Sequence, residues 1–486
     1  MRVLEGCKPE KVFYFFEELT KIPRGSGNEF EVSTYLMKFA EDRGLRCRRD
    51  SFKNVIIWQD GTKGYESAAP VILQGHMDMV CVKDEDCHLD LEKDPLNLFV
   101  DGDTIGAKGT SLGGDDGIAV AMALAILDDE TIPHPPLEVV ITTDEEVGMT
   151  GASGLNASDI KGRMLLNIDS EDEGILTAGC AGGVRMNHAF PLPTSRQSGV
   201  CFLATMSGLK GGHSGVEIDK GRGNAALLLV RFLYNLMFTQ EVDLGIKVLE
   251  SGEKDNAIPC VGIVKFIVPA DKANLVLSYA KEYQQMLEKE YAQTDAGVCL
   301  KLEELPEKEM LATKVLETKK ALQLVLAMPN GIQEMSFAVP GLPETSLNLG
   351  ILRYDIDAQE LLCSQALRSS VASKKEALIQ KVQSIAALAG AQTNLRGAYP
   401  SWEYKNDSPL RELMTRKYRE LFAKEMKVDI IHAGLECGIL SEKLPGLDAV
   451  SIGPDLTDIH TTSERLHIAS TQRTFELVKA VLAELK

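Results

Sequence analysis

Several kinds of sequence feature are missing from this chain of 486 residues. No stretch approaches the ~20 consecutive apolar residues that a membrane-spanning helix requires. The first 27 residues mix charges into an amphipathic helical pattern and lack the apolar segment of a signal peptide. Basic residues are also in deficit, with 52 against 71 acidic residues and a net charge of −19, which argues against a nucleic-acid or membrane partner.

Cysteine pairs at short spacing are missing as well. The ten cysteines include no C-x-x-C motif, which disfavours a disulfide framework and a structural zinc site. Cys81 and Cys87 flank a polar loop and could pair, but two free thiols are the simpler interpretation. Reduced thiols indicate a cytoplasmic protein.

The composition is that of a globular protein, with 44% hydrophobic and 25% charged residues. A chain of this length is expected to form two or three domains. Its first third contains short apolar runs that predict strands, and an Ala- and Leu-rich segment, 117–130, that predicts a helix. Strands of this kind alternating with helices predict an α/β domain with a mainly parallel sheet and helices on both faces.

A second texture begins near residue 188, where the segment PLPTSRQSG, 191–199, is typical of a connection. The strands and helices that follow predict an α+β domain, most simply two helices on an antiparallel sheet. Near 395 the first texture returns and ends in a helix. We therefore expect residues 1–187 and 396–486 to form one domain, and residues 188–395 to be inserted into it.

Acidic and imidazole side chains follow three of the predicted strands of the first domain. VILQ is followed by His76 and Asp78, LEVVITT by Asp144, Glu145 and Glu146, and MLLNI by Asp169. The helix adds Asp115 and Asp116 at its start, and His460 follows a late strand. Because the carboxyl ends of parallel strands meet at one edge of a sheet, these residues are expected to share one cleft.

A cluster of five or more carboxylates is stable only if a cation neutralises it, so the pattern favours a metal site. Histidine with carboxylates suits Zn²⁺ or a similar ion, and a bridging carboxylate would give a two-metal site. Each feature also has a simpler interpretation. The His-x-Asp pair could be a turn pair, the two glutamates a solvated turn, and the two aspartates a helix cap. Their repetition at successive strand ends favours the metal site.

Two other kinds of site have little support. The Gly-rich stretch AGCAGGV, 178–184, lacks the G-x-G-x-x-G spacing of a dinucleotide site and is not followed by a convincing helix. A G-x-S-x-G nucleophile motif does not occur, which disfavours a serine hydrolase.

The motifs GHMDMV, SLGGDDGIAVA, TTDEEVGMTGA and NIDSEDEG, with the late His460, resemble those of the co-catalytic zinc exopeptidases, which include carboxypeptidase G, tripeptidases and carnosinases. LKGGHSGVEI, NAIP, GAYPSW and IIHAGLECG extend the resemblance to the bacterial aminoacyl-histidine dipeptidases, over nearly the whole chain. The resemblance implies that Asp115 bridges two divalent ions, with zinc, cobalt or manganese as candidates. One ion would also bind His76 and Asp169, and the other Glu146 and His460.

The same resemblance implies the catalytic roles. Asp78 would orient His76, and Glu145 would be the general base that takes a proton from a metal-bridged water and passes it to the leaving amine. The inserted domain would be a lid and dimerisation domain. His213 would stabilise the oxyanion across the dimer or on lid closure, unless it is a turn histidine.

Three further residues are implied to contact the substrate. Asn256 and Arg368 match positions suited to the substrate's C-terminal carboxylate, although a helix-flanking amide and a surface arginine on an edge strand are alternatives. Glu436 could line the pocket or be structural. The expected activity is that of a homodimeric metallo-dipeptidase acting on unblocked dipeptides, Xaa-His and β-alanyl-histidine among them. A tripeptidase, an N-acyl amino-acid deacylase and a non-catalytic metal- or peptide-binding protein are the alternatives.

Overall fold

The computed structural model describes residues 2–337 and 339–486, and it divides the chain into two compact units. Unit 1 comprises Met1–Cys180, Tyr404–Ile430 and Leu435–Lys486, and unit 2 comprises Ala181–Glu403 and Ile431–Gly434. The second unit is thus inserted into the sequence of the first. After the chain has resumed unit 1 at Tyr404, the short segment Ile431–Gly434 belongs to unit 2 again.

The unit boundaries differ from the predicted ones, which lie after residues 187 and 395. Both predicted positions fall inside strands, Gly182–Pro191 and Gln392–Tyr399, and these strands pair with each other in the sheet of unit 2. The first of them alternates buried and half-buried residues and contains several polar ones, so it lacks the continuous apolar run by which the other strands were recognised. The predicted connection also contains a strand, Thr194–Ser198, which pairs with Glu309–Thr313.

Unit 1 is built on an eight-stranded sheet. In spatial order its strands are Arg46–Arg49, Val55–Gln59, Leu137–Thr142, Val71–His76, Met164–Asn167, Asp448–Ser451, Ile175–Cys180 and Lys427–Ile431. The four central strands, from Leu137–Thr142 to Asp448–Ser451, run parallel. The parallel prediction is therefore confirmed at the centre of the sheet, whereas the flanking pairs whose direction is described are antiparallel.

Every residue of the strands Val71–His76 and Leu137–Thr142 is buried, so both faces of the sheet centre are covered. The helices of unit 1 are Glu10–Leu19, Phe30–Glu41, Gly114–Leu127, Thr150–Gly154, Pro409–Phe422, Glu436–Lys443 and Ile468–Leu482. Gly114–Leu127 begins three residues before its predicted start, and it is apolar and buried on almost all sides. Unit 1 also contains a small four-stranded sheet. In spatial order its strands are Leu456–Thr457, Arg465–His467, Thr104–Ala107 and Leu98–Asp101.

Unit 2 contains a nine-stranded sheet whose described pairs are all antiparallel. In spatial order its strands are Cys299–Leu305, Val200–Ser207, Gly262–Val268, Gly245–Ser251, Pro343–Asp355, Glu360–Ser369, Gly182–Pro191 and Gln392–Tyr399, and Gly331–Met335 pairs with Pro343–Asp355 from outside this path. A short ladder joins Gly212–His213 to Ala257–Ile258.

Four long helices accompany this sheet. They are Ala225–Phe238, Ala273–Glu290, Val315–Ala327 and Ala372–Ala389, and two 3₁₀ turns lie at Ile218–Lys220 and Ala270–Lys272. Across the described residues of both units, each helix is either too short or too polar to cross a bilayer. None of the ten cysteines, all of which lie in the described residues, forms a disulfide, and Cys81 and Cys87 are therefore not paired with each other.

Candidate metal centre

The parallel strands of unit 1 place the predicted ligands at one edge of the sheet. His76 is the last residue of its strand and pairs with Thr142, the last residue of the neighbouring strand. Asn167 pairs with Gln74 on the other side, so the residues after these strands emerge close together. Glu145 and Glu146 follow Thr142, and Asp169 follows Asn167, which gives the common strand-end edge that the sequence predicts.

Asp115 lies between two histidines that are distant in sequence. Its Oδ1 is 3.1 Å from Nε2 of His76, and its Oδ2 is 3.2 Å from Nε2 of His460. Nε2 of His460 is also 2.8 Å from Oε1 of Glu146, and Nε2 of His76 is 3.4 Å from Oδ1 of Asp169. The five predicted ligands therefore form two sets that share Asp115.

Asp115 and Asp116 do not cap the helix with their side chains. The residue before the helix is Gly113, which has no side chain with which to cap it. Oδ2 of Asp116 instead accepts a hydrogen bond from the backbone N–H of His76, at 3.2 Å. Asp116 was not predicted as a ligand, yet its carboxylate lies close enough to His76 and Asp169 to share a cation with them.

The electrostatics of the cluster are those of a site that needs positive charge. Burial raises the pKa of Asp169 to about 6 and raises the pKa of Asp116 well above its usual range. Burial alone would also raise the pKa of Asp115, but hydrogen bonds from His460 and His76 lower it. The pKa of His460 rises to about 10 because Asp115 and Glu146 accept from its ring. A cation bound among these carboxylates would offset their mutual repulsion and favour their ionised forms.

Asp78 contacts both His76 and the turn that carries Glu145 and Glu146. It is fully buried, and its Oδ1 is 3.3 Å from Nδ1 of His76, the ring nitrogen that faces away from Asp115. The backbone N–H of Glu145 donates to the same oxygen at 3.1 Å, and the Ser26 hydroxyl donates to Oδ2 at 2.8 Å. Asp78 thereby fixes both the His76 ring and the backbone of the Glu145–Glu146 turn.

The donor set fits divalent metal ions. The ligand atoms of His76, Asp115 and Glu146 lie within 4.8 Å of one another, and so do those of His76, Asp116 and Asp169. Imidazole nitrogens and carboxylate oxygens are ligands of Zn²⁺, and they also bind Co²⁺ and Mn²⁺. A carboxylate that presents one oxygen to each of two ligand sets is the arrangement of a two-metal site.

Comparisons with known proteins agree with this geometry. The family model described as peptidase family M20/M25/M40 matches residues 72–484. The cytosol non-specific dipeptidase of Escherichia coli K12 is 38% identical over 491 residues, which covers 100% of this chain and 99% of the relative. The chain belongs to peptidase family M20/M25/M40.

Solved structures of related peptidases have the same fold. Aminoacylhistidine dipeptidase from Vibrio alginolyticus superposes with a TM-score of 0.90 at 35% identity, covering 99% of this chain and 98% of that one. Aminopeptidase PepT from Bacillus cereus superposes with a TM-score of 0.58 at 17% identity, covering 99% of each chain, which is a likeness of fold alone. The resemblance in the sequence motifs is thus confirmed, and the protein is a hydrolase of the M20 type.

Unit 2 of this M20 peptidase brings His213 and Arg368 together. Nη2 of Arg368 is 3.5 Å from Nε2 of His213, and Nη1 donates to the Tyr399 hydroxyl at 3.0 Å. Arg368 lies in the inner strand Glu360–Ser369 and is 9% exposed, so it is not a surface arginine on an edge strand. Among the described residues its guanidinium contacts the side chains of Tyr399 and His213, neither of them a carboxylate, and its Nε has no hydrogen-bond partner there.

The His213 ring is held in one tautomer. The backbone N–H groups of Gly215 and Val216 both point at Nδ1, at 3.3 Å, so the neutral ring carries its proton on Nε2. Burial and the nearby Arg368 lower the pKa of His213, which keeps the ring neutral at neutral pH. Asn256 is joined to this region because its carbonyl accepts from the N–H of Ser214 at 2.8 Å.

His432 is a buried residue of unit 2 that the sequence did not single out for a role. Its Nε2 is 2.7 Å from the hydroxyl of Ser346, and its Nδ1 has no hydrogen-bond partner in the described residues. Burial, with a contribution from Arg368, lowers its pKa to about 4.

Glu436 lies in unit 1 and is fully buried. Its Oε2 accepts from Nε2 of Gln74 at 2.6 Å and from the Thr142 hydroxyl, while Oε1 has no partner among the described residues. Nδ2 of Asn167 in turn donates to Gln74 at 2.7 Å. Of the two roles considered for Glu436, these contacts support the structural one, because the network ties three strands together just before their ligand-bearing ends.

Three residues near the metal centre were missed from the sequence: Arg24, Ser26 and Glu464. They lie in polar loops with no apolar periodicity, so no pattern distinguished them from surface residues. Arg24 and Glu464 are 1% and 2% exposed, and Ser26 contacts Asp78. The available signal was the run of glycines in SLGGDDG, because glycines beside a site indicate close approach of another group.

Proposed function

We propose that this M20 peptidase is a dipeptidase that uses two divalent metal ions, with Zn²⁺ as the first candidate and Co²⁺ or Mn²⁺ as alternatives. The observation that carries the proposal is the position of Asp115, whose two oxygens face His76 and His460 at 3.1 and 3.2 Å. His76 and Asp169 would complete one metal site, and Glu146 and His460 the other.

When bound, the two ions lower the pKa of a water molecule and polarise the scissile carbonyl. Glu145 is the proposed general base, which takes the proton of the attacking water and delivers it to the leaving amine. In the metal-free site burial raises the pKa of Glu145 well above its usual range. Bound cations would lower this pKa and so favour the ionised carboxylate that a general base requires. The backbone N–H of Glu145 donates to Asp78, which fixes the residue beside the ligands.

The substrate assignment draws support from unit 2. Arg368 is a buried guanidinium without an acidic partner among the described residues, and such a group suits the C-terminal carboxylate of a short peptide. Asn256 is a proposed second contact to that carboxylate. His213, with its proton on Nε2, suits hydrogen-bond donation to the oxyanion of the tetrahedral intermediate. That these residues act on a substrate held at the metal centre stays a prediction.

The proposed substrates are unblocked dipeptides, Xaa-His and β-alanyl-histidine among them. Two relatives favour this class, because the E. coli protein is a non-specific dipeptidase and the Vibrio protein an aminoacylhistidine dipeptidase. We also propose a cytoplasmic location and a homodimer formed through unit 2. The E. coli relative is named as a cytosolic protein, which supports the location.

The decisive experiment is hydrolysis of a dipeptide panel by chelator-stripped protein, with and without added Zn²⁺. The panel includes Xaa-His dipeptides, β-alanyl-histidine, tripeptides and N-acyl amino acids. We expect metal-dependent cleavage of the unblocked dipeptides. Cleavage restricted to tripeptides or acylated amino acids would replace the substrate by that of a tripeptidase or deacylase. Metal binding without turnover of any compound would point to a binding protein instead.

A further inference from the structure

Arg24 is a fully buried arginine that none of the proposed catalytic roles uses. Its Nη1 donates to the carbonyls of Met77 and Asp78, at 2.9 and 3.0 Å, and its Nη2 donates to the carbonyl of Gly113. One guanidinium therefore joins the segment after the His76 strand to the loop that precedes Asp115. A rigid planar donor can satisfy several carbonyls at once, which a lysine ammonium cannot do in the same geometry.

Glu464 approaches the same loop with the opposite charge. Its Oε2 accepts from the backbone N–H groups of Leu112 and Gly113, at 2.8 and 3.1 Å, and its Oε1 accepts from Gly114 at 2.8 Å. Glu464 follows His460 by four residues in the chain. The carboxylate therefore links the loop that carries His460 to the backbone just before Asp115.

The glycines of SLGGDDG make room for this arrangement. Gly113 has a φ of 66°, in the left-handed region, and a Cβ there would lie 2.5 Å from Nη2 of Arg24. A Cβ at Gly117 would overlap the same guanidinium, and one at Gly114 would lie 3.2 Å from Oε1 of Glu464. The guanidinium and the carboxylate thus occupy space that any larger residue in the loop would fill.

We propose that Arg24 and Glu464 form a positioning pair, in which they hold the carbonyl and the N–H of Gly113 from two sides and thereby place Asp115 between His76 and His460. The proposal rests on the metal centre proposed above. Neither residue would contact substrate or metal. Their effect is to keep the Asp115 backbone in the one position from which its carboxylate faces both ligand sets.

The test is the metal affinity of the full-length chain with Arg24→Lys or Glu464→Gln. Chelator-stripped protein is titrated with Zn²⁺ against a competing chelator, and with Co²⁺ while the visible absorption of the bound ion is recorded. Residues that orient metal ligands change affinity by about 10- to 100-fold when they are replaced. We expect a loss of that size for each variant, together with an altered Co²⁺ spectrum.

The chain contains a matched control for each substitution. Glu138 is also a buried carboxylate that accepts backbone N–H groups, those of Lys161 and Gly162, but it lies at the opposite end of the sheet. Arg411 is also a buried arginine that donates to backbone carbonyls, those of Lys405 and Asn406. Glu138→Gln and Arg411→Lys should destabilise the fold. Their Zn²⁺ affinity and Co²⁺ spectrum should be the same as those of the wild type.

A further variant guards against loss of folding. Gly117→Ala changes neither charged residue, but its added Cβ would displace the guanidinium of Arg24. It should therefore lower Zn²⁺ affinity, as the two charge-altering variants do. If Arg24→Lys, Glu464→Gln and Gly117→Ala bind Zn²⁺ no more weakly than the two controls, the positioning pair is refuted. A wild-type chain that binds no divalent ion would instead refute the metal centre itself.

Discussion

Asp78→Asn should weaken metal binding, because Asp78 holds the His76 ring in place without being a ligand. Its carboxylate faces Nδ1 of His76 at 3.3 Å and accepts from the N–H of Glu145 at 3.1 Å. The other oxygen accepts from the Ser26 hydroxyl at 2.8 Å and lies 3.4 Å from the N–H of Glu146. Asparagine keeps the shape but loses the negative charge, and it must turn an NH₂ group towards one pair of these donors.

The expected size of the effect follows from these contacts. Losing the carboxylate that orients a metal-binding histidine lowers metal affinity by about 10- to 100-fold, which corresponds to about 1.4 to 2.8 kcal/mol. The folded state also loses a hydrogen bond to a buried charge, for which the free energy of unfolding falls by about 1.5 to 3 kcal/mol. The metal effect must therefore be measured separately from the stability effect.

The assay is a competition titration of chelator-stripped protein with Zn²⁺, accompanied by urea unfolding of the same metal-free samples. Asp448→Asn is the matched control, because Asp448 also accepts from a serine hydroxyl, Ser408, and from a backbone N–H, that of Leu410. It lies at the start of its strand, away from the ligand-bearing ends. The control should lose stability and keep its Zn²⁺ affinity. Equal Zn²⁺ affinity in wild-type and Asp78→Asn protein would refute the orienting role of Asp78.

Three other substitutions test separate parts of the structure. Glu145→Gln should keep wild-type Zn²⁺ affinity and lower kcat by about 100- to 10,000-fold, because it removes the general base; loss of metal instead would show that base and ligand assignments are exchanged. His213→Ala should lower kcat by about 100- to 1,000-fold at unchanged metal content, as expected for loss of an oxyanion donor, and wild-type turnover would remove His213 from the mechanism. His432 has a folded-state pKa of about 4 against an ordinary 6.5, so the unfolded chain binds more protons between these values and stability falls as the pH drops through them. At pH 5 this loss amounts to about 2 kcal/mol. Urea unfolding at pH 7 and pH 5 in the presence of chelator should show a smaller loss of stability in His432→Gln than in the wild type. An identical loss in both would show that His432 does not have the lowered pKa.

The strands that hold the ligands could be predicted because they are continuous apolar runs. VILQ, LEVVITT and MLLNI are short, mainly apolar runs that are each followed by acidic or imidazole residues, and such runs are typical of buried parallel strands. Their neighbours were harder to recognise. The strand Gly182–Pro191 alternates buried and half-buried residues, and Gln392–Tyr399 is mostly exposed, so both resemble connecting segments. The predicted domain boundaries were displaced into these two strands for that reason.

The supporting residues of the site could not be predicted in the same way. Arg24, Ser26 and Glu464 are ordinary polar residues in loops, and their contacts are with segments far away in the chain. For Glu436 the sequence left a pocket-lining role and a structural role open. Its buried hydrogen bonds to Gln74 and Thr142 favour the structural role, and they could not be read from the motif.

The sequence by itself determined which residues are able to bind metal, since ligand chemistry depends on residue type and the order of strand ends brings these types to one edge. It also determined the family, through motifs that extend along the whole chain. Only the tertiary structure decided which oxygen of Asp115 faces which histidine, and which buried groups hold it there. That information depends on contacts between residues as far apart as Arg24, Gly113 and Glu464, and such contacts exist only after the backbone has closed around them.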